Sequence, residues 1–130
     1  MKRALLLVDH GSRREQANAV LVQVAEIIRD RSDFDTVHYA HMEIAEPTVS
    51  QGFDACVADG AREVIVHPYF LAPGDHYNDT VPRLVAEAAA RHPEVRWTIT
   101  EPLGIHFKLC DVVLERVEAA LSRSAGDGSR

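Results

Sequence analysis

What this chain lacks narrows its function before any motif is read. It has no run of lysine and arginine, and 14 basic residues against 20 acidic ones leave a net charge of -6. A nucleic-acid binder needs a basic face to displace counterions from phosphates, so that class is set aside. Only two cysteines occur, Cys56 and Cys110, and they form no CxxC pair. That usage fits a reducing cytoplasm better than a disulfide-stapled secreted scaffold, and each thiol is expected as a small core residue. The apolar stretch after Met1-Lys2-Arg3 runs only from Ala4 to Val8, too short for a signal-peptide core or a membrane span. The cytoplasm is therefore the expected location, with no membrane partner. Neither G-x-G-x-x-G nor G-x-x-x-x-G-K-[ST] is found, so the usual phosphate cradle of a nucleotide binder is missing.

What is present has the balance of one globular domain. The 130 residues are 46% hydrophobic and 26% charged, enough chain and enough apolar surface for a buried core. Four strand-then-helix units follow in order. Ala4 to Val8 is a continuous apolar run, the pattern of a parallel strand covered on both faces. Ser12 and Glu15 form an S-x-x-E capping box ahead of Ala17, Val20, Leu21, Val24, Ile27 and Ile28 at helical spacing. Thr36 to Ala40 is a second strand, and Pro47 opens a helix that Gly60 closes. Glu63 to His67 is a third strand, followed by a helix capped at Asp79 or Thr80 with Pro93 just past its end. Val95 to Thr100 is a fourth, and Leu109, Val113 and Val117 give the last helix its stripe. Residues 1–121 are expected as one domain, and 122–130 as a disordered polar tail.

Alternation of this kind predicts a doubly wound α/β fold, a four-stranded parallel sheet of order 2-1-3-4 flanked by helices. Ligands of such sheets sit beyond the carboxyl ends of the strands, where the winding reverses. Asp9 and His10 follow strand one, His41 and Glu43 strand two, His67 and then His76 strand three. With strands one and three adjacent, His10 and His76 can face one crevice, with Glu43 arriving from the other side of strand one. Two imidazoles and a carboxylate suit a borderline divalent metal such as cobalt, iron, nickel or zinc. The Pro73-Gly74 turn is expected to aim His76 back over the sheet edge.

Other polar residues have plainer readings beside functional ones. His41 and His67 are expected to pack against neighbouring strands or to support the ligands from behind. His92 is expected to serve a helix C-terminus, and His106 to stand at the rim of the pocket. Glu43 is either an acid-base group or a solvated strand-end charge.

Three stretches, "LLLVDHGSRREQAN", "MEIAEPTV" and "VIVHPYFLAPGDHYNDTVPRL", resemble the sirohydrochlorin cobalt or iron chelatase family, short relatives of the class II chelatases; "EPLGIHFKL" is a weaker fourth. The resemblance implies a chelatase-like fold and a lyase that inserts a divalent metal, Co2+, Fe2+ or Ni2+, into a tetrapyrrole for cobalamin or siroheme biosynthesis. It implies metal binding by His10 and His76, assistance by Glu43, and no cofactor beyond the metal substrate. Ser12, Arg13 and Arg14, with the helix N-termini, are then candidates for contact with the substrate carboxylates, although both arginines also suit a solvated first turn. Family members usually carry glycine where this chain has Asp9, whose carboxylate is placed either to orient His10 or to compete for its metal. Many relatives carry two such domains, so a homodimer is expected here. The rival reading is a non-enzymatic protein that binds or delivers divalent metal with the same histidines.

Overall fold

The computed structural model describes residues 2–72 and 74–127, with the side chains of 75–78 and 125–127 also outside the description. Four β-α units follow one another: β1 (Arg3–Asp9), α1 (Glu15–Arg31), β2 (Thr36–His41), α2 (Val49–Ala58), β3 (Glu63–Pro68), α3 (Asp75–Ala89), β4 (Arg96–Ile99) and α4 (Phe107–Asp127). The strands form one parallel sheet in the order β2-β1-β3-β4, as the alternation of elements predicts.

β1 is central and buried on both faces, which is why its sequence is an unbroken apolar run. Its odd and even residues feed two different cores. Ala4, Leu6 and Val8 pack with Val64 and Val66 against Phe53 of α2 and Val81 and Val85 of α3. Leu5 and Leu7 pack with Val37 against Leu21 and Ala25 of α1. Phe53 is fully enclosed, a burial worth roughly 1.5–3 kcal/mol. Gly52 lets α2 come this close, since a Cβ there would stand 2.8 Å from Leu6 Cδ1.

Several local expectations are corrected. α1 starts after Ser12, with Arg14 as an N-cap that makes no side-chain cap bond. The expected Ser12 box is replaced by a turn in which Ser12 Oγ accepts from Arg14 N at 3.0 Å. The capping box belongs instead to α2, where Thr48 and Gln51 satisfy each other's backbone N–H groups after a cis Glu46-Pro47 bond. α3 begins at Asp75, a turn earlier than Asp79 or Thr80, and carries Pro82 inside it. His76 is therefore in the first turn of a helix and not in a loop before it. The tail expected to be disordered from Ser122 continues α4 through Asp127, a continuation that the good helix formers Arg123 and Ala125 favour. Cys56 is a core residue as expected, but Cys110 is exposed on α4.

Two residues of the predicted α1 stripe, Val20 and Ile27, are more than half exposed. The centre of that helix face is Leu21 and Ala25, and nothing covers the flank beside it. Among the described residues no helix is long and apolar enough to cross a membrane.

Candidate functional site

The carboxyl ends of β1 and β2 are stitched together beyond the sheet. Asp9 and His41 are register partners, and Met42 N donates to Asp9 O at 2.9 Å. Glu43 N then donates to His10 O at 3.2 Å, so His10 and Glu43 stand side by side at the crevice edge. Gly11 makes this possible. Its φ is +91°, and a Cβ there would lie 1.9 Å from Glu43 O. Only glycine takes that conformation against that carbonyl without displacing it.

Glu43 is presented by a second unusual turn. Ala45 N donates to Glu43 O at 2.8 Å, and Ile44 between them has φ +73°. This is the rarer and more strained hand of the γ-turn, at a β-branched residue that seldom adopts it. Backbone strain of this kind concentrates at ligand sites, where surrounding bonds hold it in place.

Beneath the two loops, His41 is fully buried and its Nδ1 is hydrogen-bonded to Asp9 Oδ1, which also accepts from Gly11 N at 3.1 Å. The Asp9 carboxylate thus points back into the fold and secures the loop that carries His10. His10 itself is exposed and lies against Phe70 just after β3, with ring centroids 5.1 Å apart. Tyr69 N donates to Val8 O at 2.7 Å, which carries the β1-β3 pairing to that point.

The remaining candidates sort by what they touch. Asn18 clamps the loop after Gly11, its Oδ1 accepting from Ser12 N at 2.9 Å and its Nδ2 donating to Ser12 O at 2.8 Å. Arg13 and Arg14 are exposed. Ser12 and Arg13 border an open hollow of about 620 Å³ over β2, together with Tyr39, His41 and Ile44. Among the described residues its charged lining is Arg13 with Glu15 and Glu46, and neither His10 nor Glu43 lines it.

His67 Nδ1 is 2.7 Å from Thr100 Oγ1, and burial pushes the His67 pKa below its ordinary value. His92 stacks on Phe53 and bonds to Asp54 Oδ1 at 2.8 Å, a structural role. His106 Nδ1 accepts from Lys108 N at 3.1 Å and caps the start of α4. Burial drives the Cys56 thiol up to about 12, so it stays protonated in the core. The His76 side chain lies outside the described residues. Among those described, no three His, Cys, Asp or Glu side chains are grouped to hold a metal ion.

A parallel α/β domain with an imidazole and a carboxylate side by side beyond its strand ends has the layout of a small ligand-binding α/β protein. The chain belongs to the CbiX family, whose model matches residues 4–120. It is 41% identical to the chloroplastic sirohydrochlorin ferrochelatase of Arabidopsis thaliana over 95% of this chain and 55% of that protein. It is 33% identical to the sirohydrochlorin cobaltochelatase of Methanococcus maripaludis over 87% of this chain and 96% of that one. Among solved structures, the sirohydrochlorin chelatase SirB of Bacillus subtilis subspecies spizizenii in complex with cobalt superimposes with a TM-score of 0.86 at 32% identity, covering 92% of this chain and 51% of that chain. The chain thus spans about half the length of the Arabidopsis and Bacillus relatives and nearly all of the archaeal one.

Proposed function

We propose that this chain is a chelatase that inserts a divalent metal, Co2+ or Fe2+ with Ni2+ as a further substrate, into sirohydrochlorin. The observation that carries the reading is the joint presentation of His10 and Glu43 by the Gly11 turn at the sheet's switch point. In this reading His10 and His76 hold the metal, and Glu43 takes up protons from the two pyrrole N–H groups that must lose them. Imidazole suits the first task because it is neutral enough near pH 7 to bind a borderline metal, yet basic enough to be protonated once the metal leaves. A carboxylate held by backbone bonds to the loop of a metal ligand suits the second.

The substrate is polyanionic, whereas the chain carries a net charge of -6. Arg13 on the hollow over β2, and Ser12 and Arg14 just before α1, are the groups proposed to meet the substrate carboxylates, beside Glu15 and Glu46 in the same lining. The reading includes a homodimer, since the chain matches about half of relatives such as the Arabidopsis enzyme. It also includes a reducing, cytoplasmic location, given two cysteines that are both unpaired.

The test mixes purified protein with metal-free sirohydrochlorin and Co(II), Fe(II) or Ni(II) in turn and follows the absorbance spectrum. Protein-dependent conversion to the metallated spectrum is expected with at least one metal. Tight metal binding without conversion would make the protein a carrier instead.

A further inference from the structure

Ile44 is held in a conformation that disfavours it, and the chain leaves most of its side chain uncovered. Its φ of +73° is one that L-residues rarely take, and a β-branched side chain is poorly suited to it. Burial of the side chain would offset that strain, yet Ile44 is 62% exposed and belongs to neither described core. The turn itself needs no apolar group, because its bond runs between the backbones of Glu43 and Ala45. Glycine would hold the same turn with less strain.

What surrounds Ile44 points to a use outside the free chain. It directly follows Glu43, the proton acceptor of the proposed reaction, and it borders the hollow over β2. A second exposed apolar side chain stands on the other side of His10. Phe70, which lies against the His10 ring, is followed by Leu71, 69% exposed. That segment is fixed in place, because Phe70 O accepts from Leu103 N at 2.9 Å and Leu71 O from Gly104 N at 2.8 Å. In the order β2-β1-β3 the Ile44 and Leu71 loops flank the His10 loop, beyond outer strands about 10 Å apart. Carbon surface on both sides of a loop that carries a metal ligand suits a flat molecule with apolar faces. A protein partner seated on Ile44 would cover Glu43 beside it and shut the site.

We infer that Ile44 is a binding residue for the substrate macrocycle: its side chain, with Leu71 across His10, lies against the face of the tetrapyrrole and sets the ring over His10 and Glu43. The inference rests on the chelatase reading above and adds which side chains meet the ring itself, as distinct from its carboxylates. Strain in the free chain is then the counterpart of surface that is buried only in the complex. The turn also holds Glu43 at a fixed offset from the seated ring, so the pyrrole N–H groups meet the carboxylate as the metal enters.

The experiment compares Ile44→Gly, Ile44→Ala and Ile44→Leu with the unmodified full chain, by steady-state cobalt insertion at varied sirohydrochlorin and by thermal unfolding. Glycine and alanine should raise the KM for sirohydrochlorin by about 10-fold or more, the scale of one isoleucine side chain left unburied. The KM for Co(II) should stay within about 3-fold of its original value, since the metal is held elsewhere. The glycine variant should unfold at or above the temperature of the unmodified protein, because the turn is relieved. Leucine restores carbon surface without β-branching and should recover most of the lost affinity. A residue that only braced the turn would instead lose melting temperature and kcat together with the KM for sirohydrochlorin unchanged, and that result overturns the inference. Cobalt insertion by the unmodified protein with an unchanged KM in Ile44→Ala removes this inference alone, whereas no insertion by the unmodified protein removes the chelatase reading and the inference with it.

Discussion

The corner where β1 and β2 end and the last helix are built on opposite principles. At the corner, Gly11, Glu43, His41 and Asp9 are tied by bonds that leave almost no freedom: Met42 N and Glu43 N reach back to β1, and Asp9 holds both His41 and Gly11. α4 is a long regular helix with its apolar face exposed and no place in its own core. The first region is specified within one chain down to single φ angles, and the second is specified only in its own surface pattern. The geometry of the corner is thus completed by bonds within one chain, while the apolar residues of α4 are left exposed.

The sharpest way to break the corner is Gly11→Ala. A methyl 1.9 Å from Glu43 O at a φ of +91° cannot be accommodated without moving the Glu43 loop. The expected loss is about 3 kcal/mol or more of stability, read by urea unfolding, together with the loss of metal insertion. The same substitution without effect on either would show that the corner is far looser than its bonds imply.

Glu43→Gln keeps the shape of the side chain and removes its ability to accept a proton. Metal affinity should be largely retained while kcat falls by about 100-fold or more, the scale of lost acid-base help. Titration with Co(II) and steady-state kinetics on one preparation separate the two effects. A large loss of affinity would make Glu43 a metal ligand, and unchanged kinetics would return it to a solvated charge.

Asp9→Gly restores the residue that family members usually have. It leaves the buried His41 without its carboxylate partner, at a cost of about 1–3 kcal/mol in thermal or chemical unfolding. Because Asp9 Oδ1 is engaged by His41 and Gly11 N, Co(II) affinity should change far less than stability. Equal losses of both would give Asp9 a direct part in metal binding.

The smallest effect expected is a pH dependence from His67. Burial lowers its folded pKa below the ordinary value of 6.5, so as pH falls the unfolded chain takes up the proton first. Its contribution is complete above about 6.5 and is lost as the pH falls below that towards the folded pKa. Unfolding curves from pH 7.5 to 5.5 should show a slight decline that His67→Gln flattens, whereas an identical decline in that variant would assign it elsewhere.

Much of this was legible in the chain itself, for reasons that differ by residue. The apolar run of β1 and the strict alternation of units announce a parallel sheet, and chain order with right-handed crossovers leaves few topologies. That the His10 and Glu43 loops meet was visible because they follow adjacent strands of the 2-1-3-4 order. The start of α3 was misplaced because Asp79 and Thr80 are residue types that favour an N-cap, and here both lie inside the helix that begins at Asp75. The pairing of Asp9 with His41 follows from strand register, which sequence alone does not supply. The strained turn at Ile44 has no sequence signal, since a β-branched residue is the last one expected at positive φ. The exposure of Val20, Ile27 and the α4 stripe was hidden because periodicity shows that a face is apolar, but not what it meets.

The most direct test of the central claim is the rate of cobalt insertion into sirohydrochlorin by His10→Ala and His76→Ala, each beside the unmodified protein and each checked by circular dichroism. The account predicts that either substitution lowers the rate by about 100-fold or more with the fold intact, since His10 is exposed and His76 belongs to the first turn of α3, beyond the end of β3. Full activity in either folded variant would contradict the assignment of the metal to that pair.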